Sequence, residues 1–98
     1  MSYKVYKEKK GRTKVELVYQ LETSIDIKLA EHLGQLGITK WTRFNRFDRI
    51  QSPSFKIFDK RSGLIVVGRI GEDKLYCSHP DQNEESKIRF EQTLLKVA

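Results

Sequence analysis

The chain has 98 residues, of which 33% are charged and 38% hydrophobic, and its formal net charge is +6. This length suits one domain with a thin core, so we expect a single domain over residues 1–98. The aromatic content argues against a disordered chain. The longest apolar run, Leu64 to Val67, is far shorter than the roughly 20 residues of a membrane-spanning helix.

The positive charge is concentrated in the first part of the chain. Residues 1–61 carry fourteen basic and seven acidic side chains, whereas residues 62–98 carry five and six. Such a split favours a polyanionic partner, whether nucleic acid, anionic lipid or an acidic protein. The alternative is that surplus lysines only keep a small domain soluble.

Cysteine usage and the N-terminus indicate the compartment. Cys77 is the only cysteine, so no internal disulfide can form and a reducing environment is expected. The first residues have no apolar run of the kind found in secretory signals. We therefore expect a soluble, cytoplasmic protein that does not associate with membranes.

The N-terminal residues predict a β-hairpin over 3–22. Apolar and polar residues alternate over 3–8 and again over 15–21, on either side of a polar turn that contains Gly11. Period-2 alternation around such a turn is typical of a hairpin. Residues 15–21 could instead be helical, but Val15, Val18 and Tyr19 favour a strand.

A helix is predicted over 25–36. Its apolar residues recur at spacings of four, four and three, at Ile25, Leu29, Leu33 and Leu36. Thr23-Ser24 is the predicted N-cap, and Gly37 ends the helix.

The segment 38–50, which we call the basic-aromatic segment, fits neither helical nor strand periodicity cleanly. Its apolar residues come at every third position from Ile38 to Ile50. The aromatic residues favour a strand, which would return from the preceding helix in a βαβ-type crossover.

The remaining sequence predicts a β-meander over 54–78 and a helix over 81–96. Leu64 to Ile70 is rich in β-branched residues and is predicted to be the central and most buried strand. Ser78 is the predicted N-cap of the last helix, with Pro80 in its first turn. The expected class is therefore α+β, an antiparallel sheet of an N-terminal hairpin and a C-terminal meander packed against two helices.

The basic-aromatic segment and the residues after it carry the functional hypothesis. Cationic side chains neutralise phosphates, and aromatic rings stack on exposed bases. We expect a non-catalytic module that binds DNA or RNA through Lys40, Trp41, Arg43, Arg46, Arg49, Lys56, Lys60 and Arg61. Lys9, Lys10 and Arg12 could extend this surface.

Two alternatives remain open at this point. Trp41, Phe44 and Phe47 could belong to the core, with the arginines on an ordinary solvated edge. The same residue types are also enriched at protein interfaces, which would suit an adaptor or a small regulatory subunit, possibly dimeric.

Residues 29–44, LAEHLGQLGITKWTRF, resemble a helix-turn-helix. That resemblance implies a second helix after Gly37 and DNA binding through it, in a winged version with residues 54–77 as the wing. Arg43 and Arg46 depart from the motif, because the recognition helix would place apolar residues there. The order of elements from helix 25–36 onward is similar to that of double-stranded-RNA-binding and signal-recognition-particle modules.

Catalytic and metal chemistry finds little support in the sequence. Cys77 and His79 lie two residues apart, but a structural zinc site needs four ligands and a cysteine nucleophile needs a third, orienting group. Gly68 and Gly71 do not form a phosphate-binding loop. We expect no enzymatic activity, no metal site and no cofactor.

Overall fold

The computed structural model describes residues 1–42 and 53–97, which form a six-stranded antiparallel sheet and two helices. The strands are β1 (Tyr3–Lys10), β2 (Lys14–Leu21), β3 (Ile38–Thr42), β4 (Ser54–Phe58), β5 (Ile65–Arg69) and β6 (Lys74–Pro80). The helices are α1 (Ile27–Leu33), followed by a 3-10 turn at Gly34–Leu36, and α2 (Glu84–Leu95). The strand order is β1-β2-β6-β5-β4-β3. The predicted α+β class, with its N-terminal hairpin and later meander, is confirmed.

Strand β2 has more buried residues than any other described strand. Its alternating sequence buries four side chains on one face, Val15, Leu17, Tyr19 and Leu21. The prediction that Leu64 to Ile70 is the most buried strand is wrong. Strand β5 is central in the sheet, but Val66 and Gly68 are its two buried residues, against four in β2.

Both helices pack on the face formed by these buried residues. Phe90 of α2 and Tyr3 of β1 flank the buried ring of Tyr19 in edge-to-face contacts, with centroids 5.1 and 5.4 Å away. Leu29 and Leu33 of α1 join the same core. Such aromatic pairs contribute about 0.5–1.5 kcal/mol beyond the area they bury, so they add to the attachment of α2 to the sheet.

Helix α1 begins later than predicted, because Ile25 pairs with a neighbouring turn. Its backbone N–H donates to Glu72 O at 2.7 Å, and its carbonyl accepts from Gly71 N at 2.8 Å. Asp26, rather than Thr23-Ser24, is the N-cap, and its Oδ1 accepts from Leu29 N at 2.8 Å. Ile25 is still buried and contributes to the core from outside the helix.

Helix α2 also begins later than predicted, because β6 continues through Pro80. His79 and Pro80 pair with Val15 and Lys14 of β2, so the residues assigned to a cap and a first turn are strand. The helix starts at Glu84, with Asn83 at the N-cap position. A long-range strand pairing therefore overrides the local helix-start signal of Ser78 and Pro80.

The described part of the basic-aromatic segment is strand β3. Ile38–Thr42 is a strand paired with β4, as predicted, and residues 43–50 lie outside the described residues. The second helix that a helix-turn-helix would require after Gly37 is therefore absent from residues 38–42, and the resemblance over 29–44 is wrong. The winged version is also wrong, because residues 54–77 form the interior of the sheet. β3 runs parallel to β2, as a βαβ crossover requires, but three strands separate them.

Candidate nucleic-acid interface

The two faces of the sheet differ in what covers them. Both helices contribute to the one core on the first face, and no described element packs on the other, which we call the open face. The strand pairing shows which residues belong to the open face, because directly paired residues point to the same side of a sheet. The open face comprises Lys4, Tyr6, Lys7 and Lys9 (β1), Lys14, Glu16, Val18 and Gln20 (β2), Lys74, Tyr76, Ser78 and Pro80 (β6), Ile65, Val67 and Arg69 (β5), Ser54, Lys56 and Phe58 (β4), and Ile38, Lys40 and Thr42 (β3).

The open face is strongly basic. It carries one acidic side chain, Glu16, and eight basic side chains, which are Lys4, Lys7, Lys9, Lys14, Lys40, Lys56, Arg69 and Lys74. Helices α1 and α2, on the opposite side of the sheet, together carry four acidic and three basic side chains. The positive potential of the described residues is therefore concentrated on the side without helices.

One row of side chains crosses the open face from edge to edge. The register places Lys7, Val18, Tyr76, Val67, Lys56 and Lys40 opposite one another on six successive strands. A tyrosine thus lies at the centre with an aliphatic side chain on each side and lysines beyond them. Tyr76 is 46% exposed and Val67 37% exposed, so apolar surface in the middle of this face is open to a ligand.

A second row continues the apolar surface towards β3. It contains Ser78, Ile65, Phe58 and Ile38 on neighbouring strands, of which Ile38 is 62% exposed. A concavity of ≈ 440 Å³ lies between β1 and β5, with Tyr76 among its lining residues. The open face therefore combines exposed aromatic rings, a shallow depression and a rim of cations.

Two like charges face each other at the β3–β4 end of the face. Lys40 lies directly opposite Lys56 in the register, and both side chains are exposed. Like charges directly opposite on neighbouring strands destabilise a sheet. A bound anion would relieve that repulsion, whereas a positively charged or apolar partner would not.

Lysine and tyrosine also meet at the other edge of the face. A register shift between Val5 and Lys7 places an extra residue in β1. The ammonium group of Lys74 lies 4.8 Å from the centroid of the Tyr6 ring, within the range of a cation–π contact. The bulge also makes this edge strand a poorer template for pairing with another chain.

The structure separates the predicted site residues into four groups. Lys40 and Lys56 lie on the open face, directly opposite one another. Trp41 points to the helix side, where its ring centroid is 5.5 Å from that of Phe55, although 37% of the residue is exposed. Arg43, Arg46 and Arg49 lie outside the described residues, together with Phe44 and Phe47.

Lys60 and Arg61 lie in the turn between β4 and β5, where both are exposed. Asp59 organises this turn, because its carboxylate accepts from Arg61 N at 3.1 Å and from the Ser62 hydroxyl at 2.8 Å. The Ser62 hydrogen bond lowers the pKa of Asp59. The two cations lie just beyond Phe58, the last residue of β4, and extend the basic surface past that end of the sheet.

Most residues of the open face were not predicted from the sequence. The sequence did not single out Lys4, Lys7, Arg69, Lys74 or Tyr76 as site residues, although Arg69, Lys74 and Tyr76 each lie next to a buried residue of the same strand. The signal was period-2 alternation, which predicts that Lys74 and Tyr76 share the face opposite Leu75. Which strands lie side by side could not be read from that alternation.

The helix side offers no comparable chemistry among the described residues. Cys77 and His79 are buried there, and burial raises the pKa of the Cys77 thiol to about 12, which keeps it protonated and unreactive. Over residues 1–42 and 53–97, no group of three or more His, Cys, Asp or Glu side chains could hold a metal ion.

Comparison of the chain with protein-family models, with curated proteins and with solved structures finds no match in any of the three. None of the helices in the part of the chain that the structure describes is long and apolar enough to span a membrane.

Proposed function

We propose that this protein is a non-catalytic module that binds nucleic acid through the open face of its sheet. The observation that carries the proposal is the composition of that face, with eight cations and one carboxylate around exposed Tyr76, Phe58 and Val67. Cations neutralise phosphates and release counterions, and this supplies affinity without sequence preference. Lys40 and Lys56, predicted from sequence, are part of this surface.

The same face argues against a symmetric dimer that forms through it. Two copies that met through their open faces would oppose eight cations to eight, with Glu16 as the one carboxylate of each. Like-charge contacts of this kind cost several kcal/mol at an interface. A protein partner would have to be strongly acidic, whereas nucleic acid supplies both the phosphates and the aromatic bases that this face could bind.

The cytoplasmic location expected from sequence belongs to the same proposal. Cys77 is buried and forms no disulfide within the chain, which is compatible with a reducing compartment. Arg43, Arg46 and Arg49 also remain predicted contacts, since the chain between β3 and β4 starts and ends beside Lys40 and Lys56.

A salt titration tests the proposal. Fluorescence anisotropy of labelled oligonucleotides is measured with increasing protein at about 50 mM and about 200 mM salt. If about five phosphates are contacted, a slope of 0.7–0.9 per phosphate weakens binding by roughly 100-fold or more over this range. Saturable binding with that dependence supports the proposal. No binding at the lower salt concentration, or binding that salt does not change, contradicts it.

A further inference from the structure

We infer that the open face binds single-stranded rather than double-stranded nucleic acid, with bases stacked on Tyr76 and Phe58. This inference rests on the proposed function and deepens it by naming the substrate class. Both rings lie on the open face and are exposed, at 46% and 37%. Among the described residues, they are the two aromatic side chains of this face that lie away from the β1 edge, where Tyr6 lies beneath Lys74.

The width of the face argues against reading of a duplex through its major groove. Six strands spaced about 4.8 Å apart make a surface roughly 24 Å across. The major groove of B-DNA is about 12 Å wide and admits a helix or a two-stranded ribbon. A six-stranded face would therefore rest on the two phosphate backbones, and Tyr76 in its centre could not reach the base edges.

The spacing of the rings fits bases that have been separated from one another. Tyr76 lies two strands away from Phe58 and two residues away along the strand direction, which places their Cα atoms about 12 Å apart. Neighbouring bases in a duplex are about 3.4 Å apart and cover each other's faces. Only a strand with unstacked, exposed bases can offer one base to each ring.

The surrounding cations indicate where the backbone of the bound nucleic-acid strand would lie. Lys7 lies at one end of the row through Tyr76, and Lys56 and Lys40 lie at the other. Phosphates would therefore be neutralised on both sides of the apolar centre while the bases face the sheet. Stacking tolerates any base, since each has an aromatic face, so we expect little sequence preference.

The test compares single-stranded and duplex probes on Tyr76 variants. The probes are oligothymidylate and oligouridylate of about 16 nucleotides, at the upper end of known site sizes, and a DNA duplex of equal length. Tyr76→Ala is expected to weaken binding of the single strands about 5- to 150-fold, as loss of one stacked base predicts, and to leave duplex binding unchanged. Tyr76→Phe, which keeps the ring, should retain wild-type affinity.

The controls separate this inference from the proposed function. Phe58→Ala should repeat the effect of Tyr76→Ala, whereas Ile88→Ala, at an exposed position of α2, should have none. Melting temperatures verify that each variant is folded. If Tyr76→Ala and Phe58→Ala leave single-strand affinity unchanged, or weaken both kinds of probe equally, the stacking inference is wrong while nucleic-acid binding stands. If the wild-type protein binds neither kind of probe, the proposed function fails and the inference fails with it.

Discussion

Reversing two charges in one row of the open face, with Lys7→Glu and Lys56→Glu, is expected to weaken nucleic-acid binding at least about 25-fold at roughly 0.1 M salt. The estimate follows from counterion release, because each phosphate contact with a single strand contributes a slope of about 0.7 in log salt concentration. At roughly 0.1 M salt, the loss of each contact then weakens binding by a factor of about five. The two new carboxylates also repel phosphates, so the loss should exceed this minimum.

A matched control keeps the change in net charge and moves it to the helix side. Lys28 in α1 and Lys96 at the end of α2 are exposed, and Lys28→Glu with Lys96→Glu lowers the net charge by the same amount. Anisotropy titrations should show the large loss for the open-face variant alone, together with a smaller salt slope. Equal losses in the two variants would mean that total charge, rather than the open face, determines binding.

A large loss of stability is expected from Gly68→Ala. Gly68 lies on the helix face of β5, and a Cβ atom there would come within 2.6 Å of Phe55 Cζ and 2.8 Å of Leu75 Cδ2. Favourable carbon–carbon contacts are about 3.5–4.0 Å, and both neighbours are fully buried. Overpacking of this kind costs about 1–3 kcal/mol, and chemical denaturation would measure the decrease in the free energy of unfolding.

A second variant shows whether overpacking is the cause. Phe55→Leu removes the ring that the new methyl group would strike, so Gly68→Ala should cost less in that background, as a double-mutant cycle would show. Gly11→Ala serves as a control and should cost less than Gly68→Ala. Gly11 is exposed in the hairpin turn, and its Cβ would lie 3.3 Å from Lys14 O. An unchanged free energy of unfolding in Gly68→Ala would contradict this view of the core.

The sequence predicted the elements better than it predicted the surface they form. Alternation over 15–21 was sufficient to place Leu17 inside and Glu16 outside, because a strand has a period of two and one covered face. Helix starts were misplaced, because the pairing of Pro80 with Lys14 and the hydrogen bonds of Ile25 to Gly71 and Glu72 are long-range contacts. Local capping signals cannot reveal them.

The candidate site was only partly predictable for the same reason. Lys7 and Lys56 are 49 residues apart in the sequence and lie in one row only because β2, β6 and β5 separate β1 from β4. Trp41 and Lys40 are neighbours along the chain and were therefore predicted as one surface, although a strand points them to opposite faces. Tyr76 was missed because its cationic neighbours come from other strands.

Chemical-shift mapping on the isotopically labelled protein tests the central claim most directly. Backbone amide spectra are recorded while oligothymidylate is added to saturation at low salt. The account predicts that the largest shifts occur at open-face residues of β2, β5 and β6, with Val18, Val67 and Tyr76 among them, and that Ile27 and Leu95 on the helices stay unshifted. Shifts confined to the helices or to residues 43–52, or no shifts at all, would contradict binding through the open face.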